Sequence, residues 1–564
     1  MNEMSEQSRI VVFILLAAVV FLIWSKYFAP QPPPNKPQHP QATQSAPGPS
    51  NGQMKAPPSN PVAIPAVQAS AEKTIVVEND EYRVELSNRG AVAKSWRLKK
   101  YLNLDKPPQA LDLVHSDSAA QLGWPLSLVL QSSQDEQKAN TALYEVEPAT
   151  DELKAPARVT FRWSDGHLAV TKTLNFSRDY QVSMDVSVTD DGRPVQAAVA
   201  WRGGFGDASV SGWAERADVF YNQSDSIERQ VYKKLGVSGS QSQPQQIGGP
   251  MQYLGLEDQF FAAAFLPENQ NLSLWDWTQY QTVTTGSKPV STPIASMAAG
   301  SSAAEALHMR LFVGPKDIGV LRSVHPSLSG LINFGWTSII AKPLLYLLQW
   351  MHKYISNYGW AIVVMSLALN LPLFPLRLMS QKSMRKMQKL APEMRAIQDR
   401  YKKYSMRDPR RRKMQEEIME LYQQHGVNPI PIGACLPMLI QLPIWWALDR
   451  VLEMSIELRH APWTLWIHDL SVKDPYYILP IAMGFAMYLS TAMTPQAAGV
   501  DPAQQKMMKW MPIFMAAFFI NLSSGLNLYI LTSSLVGAGQ QVYLNRTQPM
   551  PVAKGRFKNK KKTA

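Results

Sequence analysis

The run Tyr358–Leu376, YGWAIVVMSLALNLPLFPL, constrains this chain more than any other stretch. It holds nineteen residues without a charge, long enough for a helix to cross a hydrocarbon core. Yet Ser366, Asn370, Pro372 and Pro375 sit in its second half. Polar groups at that depth are costly in lipid, so they belong on a face turned to other helices or to a hydrated cavity. The run ends at Arg377 and opens into a strongly basic segment. A span with a polar face and a cationic arm predicts a surface inside the membrane that receives something partly polar, with Asn370 at its middle.

Further apolar runs extend the pattern. Residues 10–24, IVVFILLAAVVFLIW, predict an uncleaved anchor within 1–29. Residues 427–448 form the next span after 357–376 and carry Pro429, Pro431, Pro437 and Pro443, which free backbone carbonyls and kink a helix. Residues 476–493 cross back. Residues 510–545 contain no charge, and as one helix they would reach about 54 Å, too long for one crossing. The patch NLSSGLN at 521–527 divides them into a fifth and a sixth span.

Charge sets the topology. Residues 377–426 carry fourteen Lys/Arg against six Asp/Glu. Met384, Met387, Leu390, Met394, Ile397, Tyr401 and Tyr404 make one helical stripe there. Met414, Ile418 and Leu421 make a second beyond the break at Arg407-Asp408-Pro409. This predicts a basic hairpin of two antiparallel helices. The tail 546–564 has seven basic residues and no acidic one. Basic loops mark the cytoplasmic side. Six spans place the hairpin, the loop 494–509, the tail and both termini inside, and residues 73–325 and 449–475 outside.

The outer region has its own grammar. Residues 30–72 hold twelve prolines between Pro30 and Pro65 and predict an extended tether. Residues 73–325 alternate apolar and polar. ARVTFRWSDGHLAVTKTLNF reads as two strands turned at Asp165-Gly166. The expectation is a large antiparallel β-sandwich. In residues 326–356, Trp336, Tyr346, Trp350 and Tyr354 recur around Lys342 and Pro343, predicting an amphipathic helix in the membrane interface. The fold class is thus a polytopic α-helical membrane protein of six spans, with a large antiparallel β-sandwich outside and a cytoplasmic helical hairpin.

Several functions are excluded or disfavoured. A net charge of +12 gathered beside the spans reads as topology before nucleic-acid binding. The single cysteine, Cys435, excludes an intrachain disulfide. No phosphate loop, HExxH or paired-cysteine spacing occurs, so no catalytic residue, metal or cofactor is expected. Asp and Glu are missing from span centres, which disfavours an ion-coupled transporter with the β domain as its receptor. What remains is polar and uncharged: Ser366, Asn370, Gln441, Asn521, Ser523, Ser524 and Asn527. Such residues either hydrogen-bond between helices or line a wet groove.

The stretches VNPIPIGACLPMLIQLPIWWAL, IELRHAPWTLWIHDLSVKDPYYILPIAMG, DPAQQKMMKWMPIFMAAFF and SSGLNLYIL carry a resemblance to the YidC/Oxa family in its Gram-negative form. The resemblance spans nearly the whole chain. It implies a bacterial inner-membrane insertase and chaperone, not an enzyme, with a periplasmic β domain and a five-span core. It also implies a groove open to cytoplasm and lipid, in which Ser366, Asn370, Arg377, Gln441, Asn527 and Tyr529 are the candidates here. The implied substrate slide maps to Cys435, Pro437, Leu442, Pro443, Pro512, Phe518 and Phe519. The implied partners are nascent membrane proteins, the Sec translocon with its accessory subunits, the ribosome and anionic lipids. Lys554, Arg556, Lys558, Lys560, Lys561 and Lys562 are the tail candidates for ribosome or lipid.

One position departs from the family. Where the resemblance implies a groove arginine, this chain has Asn370. Arg377 lies seven residues on, on roughly the same helical face, and its long side chain is expected to snorkel towards the cytoplasm. The expected groove is therefore polar but uncharged at its centre, acting by hydration and hydrogen bonding.

Overall fold

The structure is a computed structural model that describes residues 65–547, apart from 106, 210–216, 224–225, 231–244, 269–270, 286–287, 403, 405–407, 427–431 and 494–501. The expected anchor, most of the tether and the basic tail lie outside the described residues. The chain divides into two compact units between Asn333 and Phe334.

The first unit holds sheets of five, ten and five strands among the described residues. The Asp165-Gly166 signal gives the expected hairpin, Ala157–Ser164 against Leu168–Phe176, with Ser164 opposite Ala169. Gln181–Asp190 adds the next strand, and its alternation is real: Val182, Met184, Val186 and Val188 are buried. LGLEDQFFAAAFLP forms two strands, Met251–Glu257 and Phe261–Pro267. The Asp258 carboxylate makes the turn, accepting the N–H groups of Phe260 and Phe261 at 2.8 and 2.6 Å. The long hairpin Leu272–Thr285 and Lys288–Ser301 packs across Met251–Glu257, which joins two sheets face to face. One pairing departs from the expected antiparallel pattern. Thr74–Glu78 runs parallel to Glu152–Lys154, and the long connection between them supplies the crossover that parallel pairing requires.

Tyr82, Trp96, Phe176, Trp201 and Phe205 form the aromatic centre of this unit, with ring centroids 5.4–6.4 Å apart along the chain of contacts. The same unit holds Lys172, fully buried. Its ammonium donates to the carbonyls of Gly90, Ala91 and Leu126 at 3.0, 3.1 and 2.8 Å. Gly90 has φ +74°, and a Cβ there would collide with the Asn140 carbonyl oxygen, so only glycine fits. Helices α1 (Ser116–Leu122), α2 (Ser133–Thr141) and α3 (Ile318–Val324) complete the unit.

The second unit is helical. Helix α4 (Ser338–His352) buries Ala341, Leu344, Leu345, Leu348 and Met351 and exposes Ile339, Tyr346 and Trp350, the two-faced pattern expected of an interfacial helix. Helix α5 (Tyr358–Lys389) starts at Asn357, whose side chain accepts the Trp360 N–H. It includes the one segment among the described residues that is long and apolar enough to span, Tyr358–Pro375. The span and the first arm of the basic hairpin are one helix, so no hinge follows Leu376. The break comes later, where Pro392 sits in the first turn of α6 (Ala391–Tyr401). Helix α7 (Arg410–Gln424) returns against it over Met387, Leu390, Met394, Ile397, Met414, Leu421 and Tyr422.

The remaining helices are α8 (Ile432–Met454), α9 (Ile478–Met493), α10 (Pro502–Phe519) and α11 (Ser524–Thr547). Helix α9 and the segment Trp510–Phe519 are shorter apolar stretches. Asp474, fully buried, starts α9: it accepts the N–H groups of Tyr476 and Leu479 and the Trp466 indole at 2.7–3.0 Å. Helix α11 is the central post, packed on α5, α8 and α9; α4 lies on α5 and α8, and α10 lies on α9.

Candidate functional site

Several buried polar side chains of the helical unit, Ser366, Asn370, Gln441 and Ser533 among them, meet along one face of α11. That face reads Tyr529, Ser533, Gly537 and Gln540, spaced four, four and three residues apart. Against it α5 presents Ser366 and Asn370, 0% and 1% exposed. Ser366 Oγ donates back to the Ile362 carbonyl at 2.8 Å. Asn370 Nδ2 donates to the Ser366 carbonyl at 2.7 Å and to Ser533 Oγ at 3.1 Å. On the other side, Gln441 Nε2 of α8 donates to the Tyr529 hydroxyl at 3.0 Å. Three helices are thus tied by neutral hydrogen bonds at the level of a single post.

The charge at this site contradicts the sequence expectation. Half-buried, Arg377 turns back along α5 to Asn370 and does not extend away from it as expected. Its Nη2 donates to Asn370 Oδ1 at 3.0 Å, and its Nη1 to Gln540 Oε1 at 2.9 Å. A guanidinium only donates, so its contact fixes the Asn370 amide with Oδ1 towards Arg377 and Nδ2 towards Ser366 and Ser533. This direction has a local cause. Helical side chains lean towards the helix N-terminus, and Arg spans the two turns back to Asn370. Gly537 completes the arrangement: a Cβ there would stand 3.1 Å from Arg377 Nη1 and 3.7 Å from Ser490 Oγ. No carboxylate lies within ion-pair distance of Arg377 among the described residues. The groove candidates Ser366, Asn370, Arg377, Gln441 and Tyr529 therefore come together, and they bring a cation with them.

Asn527 does not join them. Its amide donates to the Phe519 and Leu522 carbonyls at 3.2 and 3.3 Å and closes the turn between α10 and α11. Ser533, Gly537 and Gln540 were missed from the sequence. Their signal was present as small or polar residues at helical spacing from Tyr529, inside an uncharged run.

The slide candidates divide by helical phase. Phe518 is 70% exposed, but Phe519 is buried, its ring 5.9 Å from that of Trp445, and Pro512 is buried too. Successive residues on a helix point about 100° apart, so Phe518 and Phe519 cannot share one lipid face. The exposed stripe of α10 is Trp510, Phe514 and Phe518. Leu442 and Pro443 are half-buried on α8. The side chains of Cys435 and Pro437, and the tail candidates Lys554, Arg556, Lys558, Lys560, Lys561 and Lys562, lie outside the described residues.

A sequence model described as "60Kd inner membrane protein" matches residues 350–551, and one described as "YidC periplasmic domain" matches residues 74–347. The chain is 33% identical to the membrane protein insertase YidC of Geobacter metallireducens, over 96% of this chain and 98% of that one. It is 44% identical to that of Wolinella succinogenes over 43% of this chain and 44% of that one. A solved structure described as an active YidC insertase with its first transmembrane domain resolved aligns at 19% identity and a TM-score of 0.36, covering 86% of this chain and 95% of that one. Matched along almost its whole length, the chain belongs to the YidC family, its residues 74–347 corresponding to the family's periplasmic domain and 350–551 to its inner-membrane core.

Proposed function

We propose that this chain is a membrane protein insertase and chaperone that passes the polar end of a substrate across the bilayer through the site built on α5, α8 and α11. The observation that carries the reading is the set of buried polar side chains Asn370, Gln441, Tyr529 and Ser533 between helices that are otherwise apolar. A polar segment at the centre of a bilayer costs several kcal/mol. Hydrogen-bonding groups at that depth shorten the dry path and lower the barrier. The apolar part of the substrate then leaves along α8 and the Trp510, Phe514 and Phe518 stripe of α10.

In this reading the chain has six spans and a five-span core, with both termini and the basic hairpin in the cytoplasm. It serves nascent membrane proteins alone or beside the Sec translocon and its accessory subunits. The basic tail meets ribosomal RNA phosphate or anionic lipid. Ribosome co-sedimentation at two salt concentrations, with and without residues 551–564, separates these two, because phosphate contacts weaken steeply with salt. It is no enzyme and needs no cofactor, and a transporter with a β-domain receptor is disfavoured by the missing carboxylate relay.

The test is reconstitution into liposomes free of other protein. A short single-span substrate is offered without ATP, and protease protection of its translocated end is read. Protection above that of empty liposomes is expected. Protection no greater than in empty liposomes rules out autonomous insertion.

A further inference from the structure

We infer that the open edge of the strand Ala110–Asp112 in the β unit is a docking site for an extended, Lys- or Arg-bearing segment of a periplasmic partner protein, which joins the sheet there as a further strand. The inference stands on the β unit alone and does not depend on the insertase reading.

The edge is the first observation. Ala110–Asp112 is the last strand of a five-stranded sheet, paired with Val92–Leu102 on one side and with no strand on the other among the described residues. The Leu113 N–H donates to the Trp96 carbonyl at 3.0 Å, and the Gln109 carbonyl accepts the Asn103 N–H at 2.9 Å. Backbone groups alternate sides along a strand, so Leu111 faces the same neighbour and the peptide groups of Ala110 and Asp112 face the other way. Such a row of outward groups is what an added strand pairs with. The second observation is space. Residues 109–112 line a cavity of 880 Å³, bounded also by α1 and by residues 207–209, a size usual for ligand sites. Its walls are tied together: Ser209 Oγ accepts the Leu104 N–H at 2.9 Å, and Asp258 Oδ2 accepts the Asp207 N–H at 3.1 Å. A preformed wall lowers the ordering cost of binding.

Charge names the occupant. Asp105, Asp112, Asp117 and Asp207 line the cavity against Arg97. That guanidinium is already shared between Asp112 at 3.5 Å and Glu85 at 3.4 Å. Burial pushes the His115 imidazole on the wall below its usual value, so it adds no cation at neutral pH. An acidic segment is repelled here, and a neutral one gains only the backbone bonds. A strand with cations at alternate positions sets them on one face about 7 Å apart, where the aspartates can accept them.

The experiment uses the full chain in detergent and short fluorescein-labelled peptides in which Thr alternates with Lys, Gln or Glu. Binding is read by anisotropy at about 0.15 M salt, where contacts between distant surface charges are screened. Two further Lys peptides are N-methylated, one on every Thr and one on every Lys. We expect the Lys peptide to bind roughly tenfold tighter than the Gln peptide, the size of a charge-assisted hydrogen bond, and the Glu peptide not to bind. One of the two N-methylated peptides loses binding and the other keeps it, because only one phase of an added strand donates to the sheet. Asp105→Asn combined with Asp117→Asn, both exposed, lowers the affinity for the Lys peptide roughly tenfold and leaves the Gln peptide unchanged. Ala110→Pro removes one outward N–H and weakens both peptides. Equal binding of the Lys and Gln peptides, equal binding of the two N-methylated peptides, or an unchanged Lys-peptide affinity in the aspartate double variant or in Ala110→Pro overturns the inference. So does the failure of every peptide to bind.

Discussion

Arg377 donates to Asn370 across two turns of one helix, at 3.0 Å, and this bond places a cation where the sequence suggests a neutral amide. The pair behaves as a unit: the amide sets the direction of the guanidinium, and the guanidinium sets the orientation of the amide.

Gly537 is the position where Arg377 touches α11 most closely. Gly537→Val puts a branched side chain where Nη1 now lies, and the guanidinium must leave. We expect Gly537→Val to lower insertion of a single-span substrate into liposomes. A Cβ added at Gly539, two residues on, would meet nothing within 4 Å, so Gly539→Val leaves insertion intact. Protease protection of the translocated end in the two variants checks this.

Gln441 and Tyr529 join α8 to α11 through a bond of 3.0 Å with both residues buried. Hydrogen bonds between membrane helices contribute about 0.6 kcal/mol on average and rarely more than about 1.7. Tyr529→Phe and Gln441→Leu should each lower stability in detergent by about that much. The double variant should fall short of the sum by a similar coupling energy. Full additivity in thermal or denaturant unfolding would mean that the bond contributes nothing.

The exposed stripe on α10 makes a sharp local expectation. A photo-crosslinker placed at Phe518 or Phe514 should capture an inserting substrate, whereas one at Phe519 should capture α8, because Phe519 packs on Trp445. Equal substrate capture from Phe518 and Phe519 would show that α10 rotates during insertion.

Lys172 predicts a pH dependence in the β unit. Burial pushes its ammonium down to about 7 from the usual lysine value of 10.5. Below pH 7 the folded and unfolded states both hold the proton, and the burial penalty is at its largest. Between pH 7 and 10.5 the folded state releases the proton while the unfolded chain keeps it, so stability rises with pH. The slope is at most about 1.4 kcal/mol per pH unit. Lys172→Met removes this contribution, so the stability of wild type minus variant should climb between about pH 7 and 10, read from urea unfolding of the β unit. A flat difference would mean that the Gly90, Ala91 and Leu126 carbonyls hold the ammonium charged throughout.

Much of the fold was legible because local patterns dictate it. Alternation at Val182–Val188 and the Asp165-Gly166 turn specify strands and their register, since a side-chain period of two leaves only one face to bury. The uncharged run at Tyr358–Leu376 specifies a spanning helix, since only a helix satisfies its own backbone in lipid. The positions of Ser366 and Asn370 on a buried face followed from the same reasoning. The parallel pairing of Thr74–Glu78 with Glu152–Lys154 did not follow, because it depends on a partner far along the chain.

The sequence by itself determined the elements, the charge asymmetry and which residues are polar inside apolar helices. It also placed Arg377 on the face of Asn370. Only the tertiary structure decided where the guanidinium goes. A long side chain on a helix has solvent in one direction and the protein interior in the other, and the choice depends on acceptors carried by other segments. Here Gln540 and the space at Gly537 lie on α11, far along the chain from Arg377. The same holds for Phe519 against Phe518: the sequence supplies two neighbouring rings, and the packing of α8 decides which one lipid meets. Side-chain direction is a property of the neighbours, and neighbours are what folding adds.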